Sequence, residues 1–189
     1  LLLGIISIFA QYSSSGGTFD YFSKSHALRF GFFFILFISV AFTPIRFWHT
    51  TSFFIFLSLV LLLLFVKFYG IQSQGSRRWV NLFVINLQPS ELMKISIILF
   101  LSNYYHSISE SDVNKIKYLF YPMLVILAPF ILVLSQPDLG TAILILLSGV
   151  VVTWLAGVRW KIFAYLLIAS IVTAPIAIAF LKPYQKSRI

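Results

Sequence analysis

Seven long runs without Asp, Glu, Lys or Arg divide the chain, at 1–13, 30–45, 50–66, 95–109, 118–137, 139–158 and 162–181. A membrane helix needs about 20 mostly apolar residues, and most of these runs approach that length. A lone segment in lipid must satisfy its own backbone hydrogen bonds, so each run is predicted to be helical. The run at 1–13 reads as the remainder of a first membrane helix. The two shorter internal runs can be extended: 30–45 by Arg29 snorkelling, and 95–109 by starting at Pro89 with Glu91 and Lys94 in the first turns. The pattern therefore predicts an all-α fold, a polytopic transmembrane bundle of about seven spans forming a single integral membrane domain over 1–189.

Between the spans lie a polar loop at 11–27, a short turn at 43–49, a longer loop at 70–88 and an acidic-basic loop at 110–117. Two tight connections follow, at 136–138 and 157–161. None has room for a soluble domain, and no repeat of 20–50 residues is present.

Composition agrees with this reading. Apolar residues make up 60% of the 189 and charged residues 10%, against about 45–50% and 25% in a soluble domain, and mean hydropathy is +0.97. The absence of Cys excludes disulfides, thiolate catalysis and Cys-ligated zinc. A net charge of +9 in a soluble protein would point to nucleic acid. Here the charges sit between apolar spans, so the partners expected are membrane lipids, lipid phosphates or acidic substrates at the membrane surface, and not nucleic acid. Charge counting does not orient the chain. Arg46, Lys115, Lys117, Arg159 and Lys161 fall on one side, and Lys24, Arg77, Arg78, Lys182, Lys186 and Arg188 on the other, so a positive-inside count leans only slightly to the second set.

Four places carry polar groups that lipid does not favour. In Gln88-Pro89-Ser90-Glu91-Leu92-Met93-Lys94, Pro89 suits the first helical position and puts Glu91 and Lys94 at i and i+3 on one face. That spacing fits both a functional site and an ion pair that only fixes packing. At Gln136-Pro137-Asp138-Leu139-Gly140-Thr141, Asp138 is either a helix cap or a carboxylate aimed into a cavity. Gly140, Thr141, Gly149, Thr153 and Gly157 read as a stripe for close helix approach. Arg77-Arg78-Trp79 is either an interfacial anchor or a guanidinium fork for phosphate. The basic end from Lys182 to Arg188 is the fourth place. The three His residues fall in separate loops on both sides, so no metal centre is expected. No phosphate-binding Gly-rich loop or nucleophile elbow is present.

Residues 75–94, running Gly-Ser-Arg-Arg-Trp through Gln-Pro-Ser-Glu-Leu-Met-Lys, resemble the most recognisable segment of the SEDS family, the shape, elongation, division and sporulation proteins of bacteria. Gln136-Pro137-Asp138-Leu139-Gly140-Thr141-Ala142 resembles its second signature, and Tyr184-Gln185-Lys186-Ser187-Arg188-Ile189 is similar to the start of its large outer loop. The second and third motifs are more similar to the rod-shape branch than to the division branch. The resemblance implies ten transmembrane helices, the first seven of them in this chain, which reads as an N-terminal part with both ends cut. It implies a peptidoglycan glycosyltransferase that polymerises lipid II, the undecaprenyl-pyrophosphate-linked disaccharide-peptide, at the outer face of the bacterial plasma membrane, partnered by a class B penicillin-binding protein. It places 70–88, 136–138 and 182–189 outside the cytoplasm. Arg78, Glu91, Lys94, Asp138, Gln185 and Arg188 match the family's functional positions. The family's presumed catalytic aspartate falls beyond Ile189, so the catalytic residue is not among those present and the fragment alone is expected to be inactive. A flippase for the same lipid, or a noncatalytic scaffold of the elongation machinery, are the alternatives. No cofactor is implied within this sequence, and the resemblance leaves a divalent cation for the whole enzyme undecided.

Overall fold

The structure, a computed structural model, describes residues 2–73, 76–81 and 86–179. Among these, seven helices follow in the order of the seven predicted spans: α1 (Leu2–Ser14), α2 (Tyr21–Phe42), α3 (Ile45–Tyr69), α4 (Pro89–His106), α5 (Ile116–Leu134), α6 (Leu139–Leu155) and α7 (Trp160–Ala179). Between α3 and α4 lie three short strands, β1 (Ile71–Ser73), β2 (Ser76–Asn81) and β3 (Asn86–Leu87), paired antiparallel in that order. By length and composition α2, α3 and α5 can each cross a membrane, while α1 and α6 are apolar but shorter. At 17 residues, α6 extends about 25 Å along its axis.

Two compact units divide the chain, Leu1–Phe47 and Trp48–Ile189. In the first, α2 begins well before the uncharged run because Asp20 caps it, its carboxylate accepting from Ser23 N at 2.8 Å. The loop expected at 11–27 is thereby shortened, and Lys24, His26 and Arg29 are helical. Gly4 lets α1 approach α2: a Cβ there would stand 2.0 Å from the Phe30 ring. Ser7 Oγ meets His26 Nε2 at 2.9 Å across the same pair.

Among the described residues of the second unit, α4 is the helix with the most buried residues. It buries Pro89, Met93, Ile97, Phe100, Leu101 and Tyr105, the i, i+3/i+4 succession of one helical face. Leu63 of α3, Val125, Ile126 and Val133 of α5, Ala142 and Ile145 of α6, and the loop residues Val113 and Val158 complete the core. The Phe100 ring stacks on Phe56 at a centroid distance of 4.9 Å. Gly149 brings α6 against α5, since a Cβ there would lie 2.4 Å from Ile126 Cγ1. Of the predicted small-residue stripe, Thr141, Gly149 and Thr153 are buried, whereas Gly140 has open space around it. Leu144, Leu147, Val151, Ile131 and Leu124 are exposed, an outer surface suited to lipid.

Candidate functional site

At one end of the second unit the β strands meet the α5–α6 turn. The β1–β2 register pairs Ile71 with Trp79 but Gln72 with Arg77. Arg78 is therefore the extra residue of a bulge, a feature that redirects a side chain out of the strand's alternation. Its guanidinium reaches the turn. Nε donates to Gln136 O at 3.2 Å, Nη2 donates to Pro137 O at 2.6 Å, and Nη1 lies 3.6 Å from Asp138 Oδ2. The neighbouring Arg77 donates from Nη1 to Phe68 O at 2.8 Å, satisfying a carbonyl in the last turn of α3.

Of the two readings its sequence position allowed, Asp138 takes that of a helix cap, and its second oxygen is engaged by an amide. Its Oδ1 accepts from Thr141 N at 3.3 Å and so caps α6, and its Oδ2 accepts from Gln88 Nε2 at 3.0 Å. Gln88 occupies the N-cap position of α4 without capping it. Its amide instead bridges Asp138 and Ser90 Oγ, the latter at 3.0 Å. Gln136 is buried and donates from Nε2 to Leu63 O at 3.0 Å, tying the turn to α3. The result is a polar joint in which one arginine, one carboxylate and two amides fasten three helices and a strand.

Glu91 and Lys94 form the expected pair, Nζ to Oε2 at 2.9 Å. The pair is not enclosed. The Glu91 side chain is 54% exposed and that of Lys94 23%, because the face of α4 that packs on α5 and α6 is the one carrying Met93 and Ile97.

The sequence of the FtsW/RodA/SpoVE family, described as "Cell cycle protein", matches residues 1–189. The chain belongs to this family. It is 35% identical over 162 residues to a probable peptidoglycan glycosyltransferase FtsW of Buchnera aphidicola, covering 85% of this chain and 40% of that protein. It is 38% identical over 164 residues to the peptidoglycan glycosyltransferase MrdB of Helicobacter pylori, covering 82% and 42%. Among solved structures it resembles a chain from a peptidoglycan synthase complex that coordinates polymerization and crosslinking, with TM-score 0.80, 26% identity, and 99% of this chain and 56% of that chain covered. It also resembles a variant of the Thermus thermophilus rod shape determining protein RodA, with TM-score 0.69, 26% identity, and 83% and 51% covered. The chain spans less than half the length of these curated relatives. With its apolar helices it is a multi-pass protein of the bacterial inner membrane.

Within this family member, Arg78 and Asp138 are brought together, and Glu91 and Lys94 follow one turn into α4 from Gln88. Gln185 and Arg188 lie outside the described residues. The residues overlooked were Gln88 and Gln136. Both precede Pro, which holds the preceding residue extended at a helix boundary, and both lie just before an acid, in Gln88-Pro89-Ser90-Glu91 and Gln136-Pro137-Asp138. That shared pattern is the signal that could have found them. Among the described residues no group of three or more His, Asp or Glu is placed to hold a metal ion.

Proposed function

We propose that the protein to which this chain belongs polymerises lipid II into glycan strands at the outer face of the plasma membrane, in the service of cell elongation and shape. The observation carrying this reading is that a family member with peptidoglycan glycosyltransferases as relatives gathers its membrane-end polar residues into one joint, with the Glu91–Lys94 pair left open beside it.

Glycan transfer joins a sugar hydroxyl oxygen to an anomeric carbon and breaks the bond from that carbon to the lipid pyrophosphate, while a base takes the hydroxyl proton. Cationic groups stabilise the departing pyrophosphate. On this reading Lys94 and Arg188 are the cations offered to the substrate. Arg78, whose donors already engage two carbonyls and approach Asp138, sets the α5–α6 turn and keeps only part of its fork for phosphate. The base is an aspartate outside residues 1–189. Crosslinking of the product falls to a class B penicillin-binding protein.

The test is lipid II polymerisation by the full-length protein in proteoliposomes, scored separately from movement of lipid II across the bilayer. Glycan strands that disappear with Lys94→Met support the proposal. Lipid movement without strands would replace it with the flippase reading, and neither activity would leave a scaffold.

A further inference from the structure

At the opposite end of the second unit, two loops distant in sequence are stapled together by one side chain. Asn114 Nδ2 donates to Gly157 O at 3.3 Å, and Asn114 Oδ1 accepts from Arg159 N at 2.8 Å. Val113 and Val158, beside these contacts, are both buried in the core. The staple fixes the first residues of α5 and α7 at the same end. Each start has an alternating composition: Lys115-Ile116-Lys117-Tyr118 in one, Arg159-Trp160-Lys161 in the other. Lys117, Arg159 and Lys161 are exposed, and so are the apolar residues between them, Ile116 at 84% and Trp160 at 67%. Lys117 Nζ sits 5.9 Å from the Tyr118 ring centroid. The nearby acids only partly offset this charge, because Asp112 is engaged by Lys115 at 2.6 Å and Glu110 is the other acid of the loop.

We propose that this double start is a binding site for anionic phospholipid headgroups, in the leaflet opposite the polar joint. Exposed cations flanking exposed Ile and Trp match the two layers of that partner, phosphate outside and acyl chain inside. A soluble acidic protein would engage the cations but leave the exposed Ile116 and Trp160 without an apolar partner. The site is separate from glycan transfer and does not depend on it.

The experiment measures lipid binding to the full-length protein in detergent by native mass spectrometry, with phosphatidylglycerol, cardiolipin, phosphatidylcholine and inorganic phosphate as the probes. Near an anionic surface each basic residue contributes about five-fold in affinity. The Lys117→Gln/Arg159→Gln/Lys161→Gln variant should therefore lose at least about ten-fold in phosphatidylglycerol and cardiolipin binding, with phosphatidylcholine unchanged. Lys117→Arg/Lys161→Arg should retain it. Asn114→Ala, which removes no charge, should weaken binding by loosening the two starts. Equal anionic-lipid binding by the wild type and the triple Gln variant, or inorganic phosphate binding as tightly as the lipids, overturns the proposal.

Discussion

Arg78 approaches Asp138 to 3.6 Å while donating to the carbonyls of Gln136 and Pro137, so one side chain holds both the backbone and the carboxylate of the α5–α6 turn. Their side chains are 25% and 11% exposed. Removing Arg78 leaves two carbonyls and a shielded carboxylate short of partners, and losses of this kind run to about 1–3 kcal/mol. Arg78→Met should destabilise the full-length protein by about that much, and Asp138→Asn, which can still accept from Thr141 N, by less. In a double-mutant cycle read by unfolding in detergent, the two changes should be non-additive. Strict additivity would mean that the 3.6 Å approach contributes nothing.

The Glu91–Lys94 pair should behave differently. With Glu91 more than half exposed, an ion pair of this kind contributes about 0–1 kcal/mol, and the severe penalty of an orphaned buried charge does not arise. Glu91→Gln and Lys94→Met are each expected to leave the melting temperature nearly unchanged while lowering lipid II polymerisation at least about ten-fold. Loss of folding in either variant would show that the pair is structural and enclosed in the full-length protein.

The helices were legible because uncharged length is a strong signal in a membrane chain. Their starts were less so. Charge counting stopped one predicted span at Arg29, whereas Asp20 caps α2 and carries Lys24 and Arg29 into the helix. The strands escaped because β1 and β3 have only three and two residues, too few for alternation to register. Residue spacing gave the Glu91–Lys94 pair, since i and i+3 fixes neighbours on any helix. Spacing alone could not give the meeting of Arg78 with Asp138, 60 positions away, or the bridge from Gln88 to Asp138, because those depend on how α4 and α6 pack. Nor could it assign exposure: Glu91 is open because Met93 and Ile97 define the packed face.

The loop between α4 and α5 should respond to pH at both extremes. Its hydrogen bond with Lys115 holds the Asp112 carboxyl below the ordinary carboxylate range, and the same bond holds the Lys115 ammonium above the ordinary lysine range. The Asp112 contribution is present above the unfolded carboxylate pKa of about 3.9 and is lost as pH falls through the depressed folded value. The Lys115 contribution is complete below about 10.4 and is lost as pH rises through the raised value. Hydrogen-exchange protection of the Asp112 and Lys115 amides, bonded to Ser109 O and Asp112 O, should therefore be flat between these limits. Lys115→Gln should move the Asp112 titration upward in carboxyl NMR; an unmoved titration would remove the pair as its cause.

The polar joint and the Asn114 staple lie at opposite ends of α4, so they should face opposite sides of the membrane. The sequence has no Cys, which makes single introduced thiols in this region readable in a full-length protein without other cysteines. Asn86→Cys, at the exposed start of β3, should react in intact cells with a membrane-impermeant thiol reagent. Ser109→Cys, exposed in the other loop, should react only after the membrane is opened. The reverse pattern would invert the orientation, and labelling of both in intact cells would contradict the span of α4.

Three glycines in and after α6 separate packing from backbone demands. A Cβ on Gly149 would stand 2.4 Å from Ile126 Cγ1 and 2.7 Å from its Cδ1, and Ile126 is itself buried at the α5 contact. Gly149→Ala must push the helices apart or force Ile126 into another rotamer, at a cost of about 1–3 kcal/mol. Gly140 has no atom within 4 Å of such a Cβ, so Gly140→Ala should be neutral or slightly stabilising through helix propensity, by up to about 1 kcal/mol. Gly157 also has open space but holds φ at +94°, a conformation side chains resist, and Gly157→Ala should cost about 1 kcal/mol with no change in core packing. Unfolding in detergent should therefore rank the three variants Gly149, then Gly157, then Gly140 in order of damage. Ile126→Val or Ile126→Ala should partly rescue Gly149→Ala while doing nothing for Gly157→Ala. If the Ile126 changes fail to rescue Gly149→Ala, the close contact between α5 and α6 is not what this glycine provides.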